Sequence, residues 1–359
     1  MFKIYQIYII SKFLKKFFLI SLLFFSLSLI LGVFEEISFL KNSNSNILLP
    51  YILTFLNAPI TLFEIFPFIF LLSTQFFFYE IFKNEELILF KNHGLSNLKI
   101  ILVVFITSII LGILINSVYY NISSKFKFLY TDIKNNYSTD NKYLAAVTDS
   151  GLWLKDEIDN SKMIIKANSI EDNFLIEVII NQFDMDFNLI KTIQANKIDI
   201  SNKLWVIYNP LITSNNNTTI FKNNFLLNTS FDKDKINSIF SNITTLNIFE
   251  LFELKKDYES LGYSSDEIKL YLLKLFSNPI FYSLMSILAS ILMFNLNRNK
   301  SFNFYLIIGI LLSVIIYYLN YMIGSLGGTG KLPINVSVFV PIILISILTL
   351  TGLITINEK

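Results

Sequence analysis

Six long apolar runs, three on either side of a polar stretch of about 150 residues, dominate this chain. A bilayer core about 30 Å thick is crossed by about 20 apolar residues of helix. Phe17–Phe34 is apolar apart from Ser and Gly and is entered through Lys12, Lys15 and Lys16. A cleaved signal peptide would be shorter and would end at a small-x-small site, whereas this run leads into Phe34-Glu35-Glu36-Ile37. Tyr51–Tyr79, punctuated by Pro59 and Pro67, is the second run, and Ile100–Tyr120 is the third. Asn278–Leu296, Phe302–Ile323 and Ile334–Ile356 complete the set. The pattern predicts a membrane α-helical protein with an inserted all-β domain: six transmembrane helices in a 3+3 layout.

Composition supports the split. The chain is 53% hydrophobic and 16% charged, against about a quarter charged for an ordinary soluble domain. Most of the charge lies in residues 121–270. The predicted organisation is helices 1–3 in residues 1–120, an inserted domain in 121–270, and helices 4–6 in 271–359. Lysine and arginine near the span ends set orientation. With the N-terminus inside, the inner face carries Lys3, Lys12, Lys15, Lys16, Lys83, Lys91, Lys99, Arg298, Lys300 and Lys359, and the short outer loops carry Lys41 and Lys331. This bias predicts cytoplasmic termini and an inserted domain on the far side. A net charge of +2 gives no argument for nucleic acid. The absence of cysteine excludes disulfides and thiolate chemistry.

Within the polar stretch, Leu152–Leu154, Met163–Ile165, Phe174–Ile180, Ile190–Ile200, Leu204–Tyr208 and Phe221–Leu227 are short runs rich in Ile, Val, Phe and Trp. Clusters of Gly, Asn, Asp and Ser separate them, which predicts strands of a β-sandwich or a related open all-β fold. From about Asn247 the pattern turns helical, and Tyr263–Glu267 reads as a capped helix start leading into the fourth span.

The loop from Lys83 to Ser96 is the most informative short stretch. Glu85 and Glu86 suit a helix N-terminus, and Lys91 and His93 suit its C-terminus. Gly94 suits a left-handed cap, and Ser96 can N-cap the next span. The prediction is a helix of two to three turns over about 83–95, apolar across Leu87–Phe90. Such a helix either rests on the bilayer or docks into a cytoplasmic motor, and its periodicity fits both. Gly327-Gly328-Thr329-Gly330-Lys331 is not a phosphate loop, because Ser325 and Leu332 stand where Gly and Ser/Thr are required. His93 is the only histidine, so no His-based metal cluster or Ser-His-Asp triad is available. The pairs Glu35/Glu36, Asp184/Asp186 and Asp232/Asp234 lie in loops or in the β-domain. Glu64 falls inside the second span, where a carboxylate marks either a functional site or an interfacial, solvated position. Lys41, just past the first span, either meets an anionic group or is solvated.

Taken together, these features resemble the permease subunits of the lipopolysaccharide export ABC transporter, the LptF/LptG (YjgP/YjgQ) family. The likeness covers nearly the whole chain. Glu86-Leu87 through Lys91-Asn92-His93-Gly94-Leu95-Ser96 is similar to the family's coupling-helix pattern, and Pro59 and Phe66-Pro67 match the second span. Ser150-Gly151-Leu152-Trp153-Leu154-Lys155 is similar to the Gly-Leu-Trp strand of the LptG branch. Tyr317–Asn320, Gly324, Leu332-Pro333 and Pro341 look like the last two spans. Glu35 and Glu36 stand where the family often has basic residues, and Lys41 alone falls at a matching basic position.

The resemblance implies a permease of the bacterial inner membrane with a periplasmic β-jellyroll-like domain and no cofactor or catalytic centre of its own. ATP and Mg would be bound by an LptB-type ATPase dimer that holds Glu85, Glu86, Leu87, Phe90, Lys91 and His93. A sister LptF-type permease would complete a cavity, to which Lys41, Glu64, Phe24, Phe25, Tyr317 and Asn320 are candidate contributors. Lipopolysaccharide would pass to LptC- and LptA-type bridge proteins. The rival readings are the sister LptF subunit, a secondary transporter, and a membrane-anchored scaffold. A secondary transporter would want midplane charges in both halves, and a scaffold has no use for six spans.

Overall fold

A computed structural model describes residues 3–41, 46–135, 137, 152–158, 161–171, 173–214, 217–220, 224–233, 235–236, 242–260, 264–294 and 302–357. The chain divides into two compact units: Met1–Ile133 with Thr244–Leu251 and Asp266–Lys359, and Lys134–Ile243 with Phe252–Ser265.

The first unit is helical. Its members are α1 (Ile4–Leu40), α2 (Leu49–Lys83), the short α3 (Glu86–Asn92), α4 (Asn97–Leu114), a π turn (Ile115–Tyr119) and α5 (Tyr120–Asn135). A 3₁₀ turn (Ile243–Thr245) and α6 (Ile248–Ser260) precede α7 (Asp266–Phe294), α8 (Phe302–Gly328) and α9 (Ile334–Asn357). Among the described residues six helices are long and apolar enough to cross a membrane, with α4, the π turn and α5 forming one of them. The predicted spans all fall on these helices, although the far end of the fourth, with Arg298, Lys300 and Lys359 of the orientation argument, lies outside the described residues. Two differences have a physical origin. The third helix runs past Tyr120 to Asn135, because a polar, amphipathic segment propagates readily from a helix already nucleated. The fourth begins at Asp266, three turns before the apolar run, with Asp266 and Glu267 in its first turn as the capping pattern predicts.

The helices are not equally covered. Of the apolar window of α7, 72% is buried by other parts of the chain, and of that of α2, 61%, but only 11% in α1 and 17% in α8. Aromatic side chains fill the centre. Phe17 lies 4.9 Å from Phe70, Phe70 stacks on Tyr282 at 5.1 Å, and Phe13 meets Phe77 edge-on at 6.0 Å. Such contacts add about 0.5–1.5 kcal/mol each beyond area burial. They join α1, α2 and α7.

Backbone groups must be satisfied internally in lipid, and Pro279 inside α7 creates a debt. Having no N–H, it leaves the carbonyl of Leu275 without its helical donor. Asn116, in the π turn, donates Nδ2 to that carbonyl. The Ser108 and Ser286 hydroxyls are 2.9 Å apart lower in the same helix pair, and Tyr119 and Tyr120 donate to the carbonyls of Pro59 and Leu246 at 3.0 and 2.9 Å. The extra residue of a π turn shifts the helix face, and here the shifted turn carries Asn116 and Tyr119, with Tyr120 directly after it.

The second unit holds a nine-stranded antiparallel sheet: β1 (Leu152–Ile158), β2 (Ser161–Ala167), β3 (Ser169–Glu171), β4 (Phe174–Phe183), β5 (Leu189–Asp199), β6 (Leu204–Tyr208), β7 (Leu211–Ser214), β8 (Asn217–Ile220) and β9 (Phe225–Asn228). The path is β1-β2-β4-β5-β6-β9; β3 also pairs with β4, β7 with β5, and β8 with β7. One face is buried by Leu154, Ile165, Ile180, Ile193, Trp205 and Ile207. The buried parity slips on both paired strands together, between Leu175 and Val178 and between Ala195 and Ile198, next to Glu177 with φ +51°, so their register is kept there; it shifts at Gln182/Phe183, where a bulge lies. Trp205 donates Nε1 to the Phe231 carbonyl at 2.8 Å, and buried Asp156 accepts from the Ser230 backbone at 2.9 Å. Strands β3, β7 and β8 are too short and polar to register as runs in the sequence, and residues 221–223 of the predicted last strand lie outside the described residues.

Replacing Asn116 by Leu leaves the Leu275 carbonyl without a donor in an apolar interior. It is expected to destabilise the helical unit by about 1–2 kcal/mol, read as a lower thermal midpoint of the chain in detergent. An unchanged midpoint would show that the bond is dispensable.

Candidate functional site

The loop between the second and third membrane helices is built as its sequence predicts. Glu85 precedes α3 with φ +57°, and Glu86 sits in its first turn. At the other end, Gly94 has φ +75°, its N–H donates to the Lys91 carbonyl at 2.9 Å, and the Leu95 N–H reaches back to Phe90 at 3.0 Å. That pair of bonds is a Schellman ending, and it needs a residue without a Cβ penalty at Gly94. Ser96 then accepts from the Lys99 N–H at 3.4 Å and starts α4.

A seven-residue helix does not hold its place by itself. Glu86 holds this one to α1: Oε1 lies 2.5 Å from Lys12 Nζ, and Oε2 accepts from the Tyr8 hydroxyl at 3.0 Å. Asn84 Nδ2 donates to the same carboxylate at 3.2 Å. Lys12 is shared with Glu80 of α2 at 3.2 Å, and Lys16 also pairs with Glu80. Tyr8 meets Phe90 edge-on at 6.2 Å. Burial pushes the Glu86 carboxyl up, but the hydrogen bonds from Lys12, Asn84 and Tyr8 outweigh it and hold the group below its ordinary value. Its contribution is therefore complete above the usual carboxylate range and is lost as pH falls through the depressed value.

The candidate docking residues thus divide. Glu86 is turned toward α1, Leu87 and Phe90 are half-buried, and Glu85, Lys91 and His93 are exposed. The sequence reading did not single out Ile88 and Leu89, yet these are the apolar side chains on the open face, 56% and 59% exposed. Four consecutive apolar residues give no periodicity from which to choose a face.

Toward the opposite ends of the membrane helices, the structure brings some candidates together and leaves others apart. Glu64 is exposed on α2 and lies within electrostatic range of Lys127, Tyr271 and Tyr317. Tyr317 also packs against Phe68 at 5.6 Å, and Asn320, one turn on, is half-buried. Lys127 donates to Asn57 Oδ1 at 2.8 Å. Phe25 rests on Phe55 at 6.5 Å, Phe24 is half-buried, and Lys41 is exposed at the end of α1. Glu36 is buried and accepts from the Tyr130 hydroxyl at 2.8 Å. Asp184 and Asp186 belong to the β4–β5 turn, where Asp184 accepts from the Asn188 and Asp186 backbones at 2.8 and 3.0 Å.

Lys274 is the cation that sequence reading missed. It lies on α7 just before the apolar run, half-buried, with its ammonium against Gly324 of α8, where even a Cβ would fall 2.1 Å from Nζ. Among the described residues no carboxylate meets it. A partly buried lysine without a counter-charge is costly.

A comparison with curated proteins finds no match. The family model of the lipopolysaccharide export system permease LptF/LptG matches residues 7–355, a range that takes in the membrane helices, the inserted sheet and the latched α3. The chain is a member of the lipopolysaccharide export permease family LptF/LptG.

Proposed function

We propose that this chain is the LptG-type subunit of the export complex in the inner membrane, with cytoplasmic termini and a β-jellyroll-like domain in the periplasm. The observation that carries the coupling role is α3 itself: a short helix latched to α1 through Glu86, with Ile88 and Leu89 more than half exposed. An LptB-type ATPase, binding ATP and Mg, covers that face. Glu85, Lys91 and His93 frame the contact, while Glu86, Leu87 and Phe90 carry the push into α1 and α2. The sister LptF-type permease packs against the sparsely covered α1 and α8. The LptG assignment is supported by Leu152-Trp153-Leu154 at the start of β1, and the sheet hands acyl chains to LptC- and LptA-type proteins.

On the outer side, Glu64, Tyr317 and Asn320 border one part of the cavity wall, and Phe24 and Phe25 offer apolar surface to acyl chains. Lys41 and Lys274 supply cations for phosphate groups of lipopolysaccharide.

Two measurements test this reading. Ile88→Asp with Leu89→Asp is expected to lower co-purification of the ATPase from the co-expressed complex by about tenfold or more. Glu86→Lys is expected to retain ATPase but uncouple hydrolysis from lipid release. Undiminished ATPase recovery with the first variant would sink the docking role. Lys274→Ala is expected to reduce lipopolysaccharide retained by the purified complex about tenfold, with Lys274→Arg close to wild type; equal retention in all three would remove Lys274 from the substrate path.

A further inference from the structure

At the lysine-rich end of the helical unit, α1, α3 and the start of α4 enclose an open groove of about 800 Å³. Its one acidic lining residue is Glu86, whose charge is already met by Lys12, Tyr8 and Asn84. Lys3 and Lys99, by contrast, are exposed on its rim, and no carboxylate meets either ammonium among the described residues. Tyr5 and Phe90 add aromatic surface, and Leu89 and His93, which also belong to the proposed ATPase contact, complete the lining on the α3 side. The groove therefore attracts anions, and among the described residues its two lysines meet no carboxylate.

Its position narrows the ligand. Lys3 and Lys99 flank the first residues of two membrane-crossing helices, which is where lipid head groups lie and where lysines near the surface attract them. Further along α1, Ile7, Ile10, Leu14 and Phe18, together with Ser11 and Lys15, line a second open trough of about 730 Å³. Ile4, between the two lysine-bearing ends, is 89% exposed. An acidic protein segment would use the lysines but would leave the apolar trough bare. A phospholipid uses both.

We propose that this groove is a binding site for an anionic phospholipid of the adjoining leaflet. Its phosphate lies between Lys3 and Lys99, and its acyl chains follow the Ile7–Phe18 trough. The site is separate from the lipopolysaccharide cavity and bears on the same α1–α3 latch that orients the short helix. A lipid bound there braces α1 against α3.

The test uses the full chain, extracted from vesicles of equimolar phosphatidylglycerol and phosphatidylcholine, with retained lipid measured by mass spectrometry. Wild type is expected to retain phosphatidylglycerol preferentially. Lys3→Ala with Lys99→Ala is expected to lower that preference by about 10- to 30-fold, whereas Lys3→Arg with Lys99→Arg keeps it and Lys83→Ala leaves it unchanged. Equal retention of the two lipids, or a preference that survives the double alanine variant, overturns the site. If the double alanine variant keeps its lipid but loses a co-expressed ATPase, the groove belongs to a protein contact and the proposal is wrong. Because the readout is lipid on the chain alone, it stands or falls independently of transport.

Discussion

The Lys12 ammonium is the point on which the lysine-rich end of this molecule turns. It is shared between Glu80 of α2 and Glu86 of α3, with the Tyr8 hydroxyl 3.3 Å away and Lys16 supporting Glu80 from the next turn of α1. Exposed ion pairs contribute little, about 0–1 kcal/mol. This one differs because the Lys12 and Glu86 side chains are only 12% and 15% exposed and every charge in it has more than one partner. Removing one member leaves another charge half-buried and unmet, so the loss exceeds the value of a single pair. Three helices whose apolar faces would otherwise tolerate sliding are therefore held in one register.

The opposite ends of the membrane helices obey different bookkeeping. Tyr130 donates to Glu36 Oε1, and Lys127 is held by Asn57 and over the Tyr130 ring at 4.4 Å. Lys274 has only the space left by Gly324. Charge is compensated at the Lys12 latch, whereas Lys274 meets no carboxylate among the described residues. The same contrast separates Glu86 from Lys3 and Lys99 within a single groove. In a molecule with so few charges, which of them lack partners is more informative than how many there are.

Much of this was legible in the sequence, for reasons that can be named. A bilayer demands uninterrupted apolar length, so the six helices declare themselves, and Gly94 and Ser96 declare the caps of α3 because few residues serve there. Which way Glu86 points was not legible: Leu87–Phe90 is apolar on every side, and only the position of Lys12 in space decides. Lys274 escaped because it precedes the apolar run, although its helix begins two turns earlier. Asn116 escaped because its role depends on a carbonyl freed by Pro279, 163 positions away in sequence. Strands β7 and β8, of four residues each, carry Thr and Asn where a run of Val or Ile would have marked them.

The shortness of α3 bears on how force would cross this protein. Seven residues cannot form a stable helix in water, and no buried residue of its own anchors it. Its direction is set by the Schellman turn at Gly94, by the left-handed turn at Glu85, and by the bond from Glu86 to α1. A displacement applied to Ile88 and Leu89 therefore reaches α1 through Lys12 and α2 through Glu80 before it reaches anything else. The apolar window of α1 is the least buried of the set, and the side of α1 that is covered lies along α2.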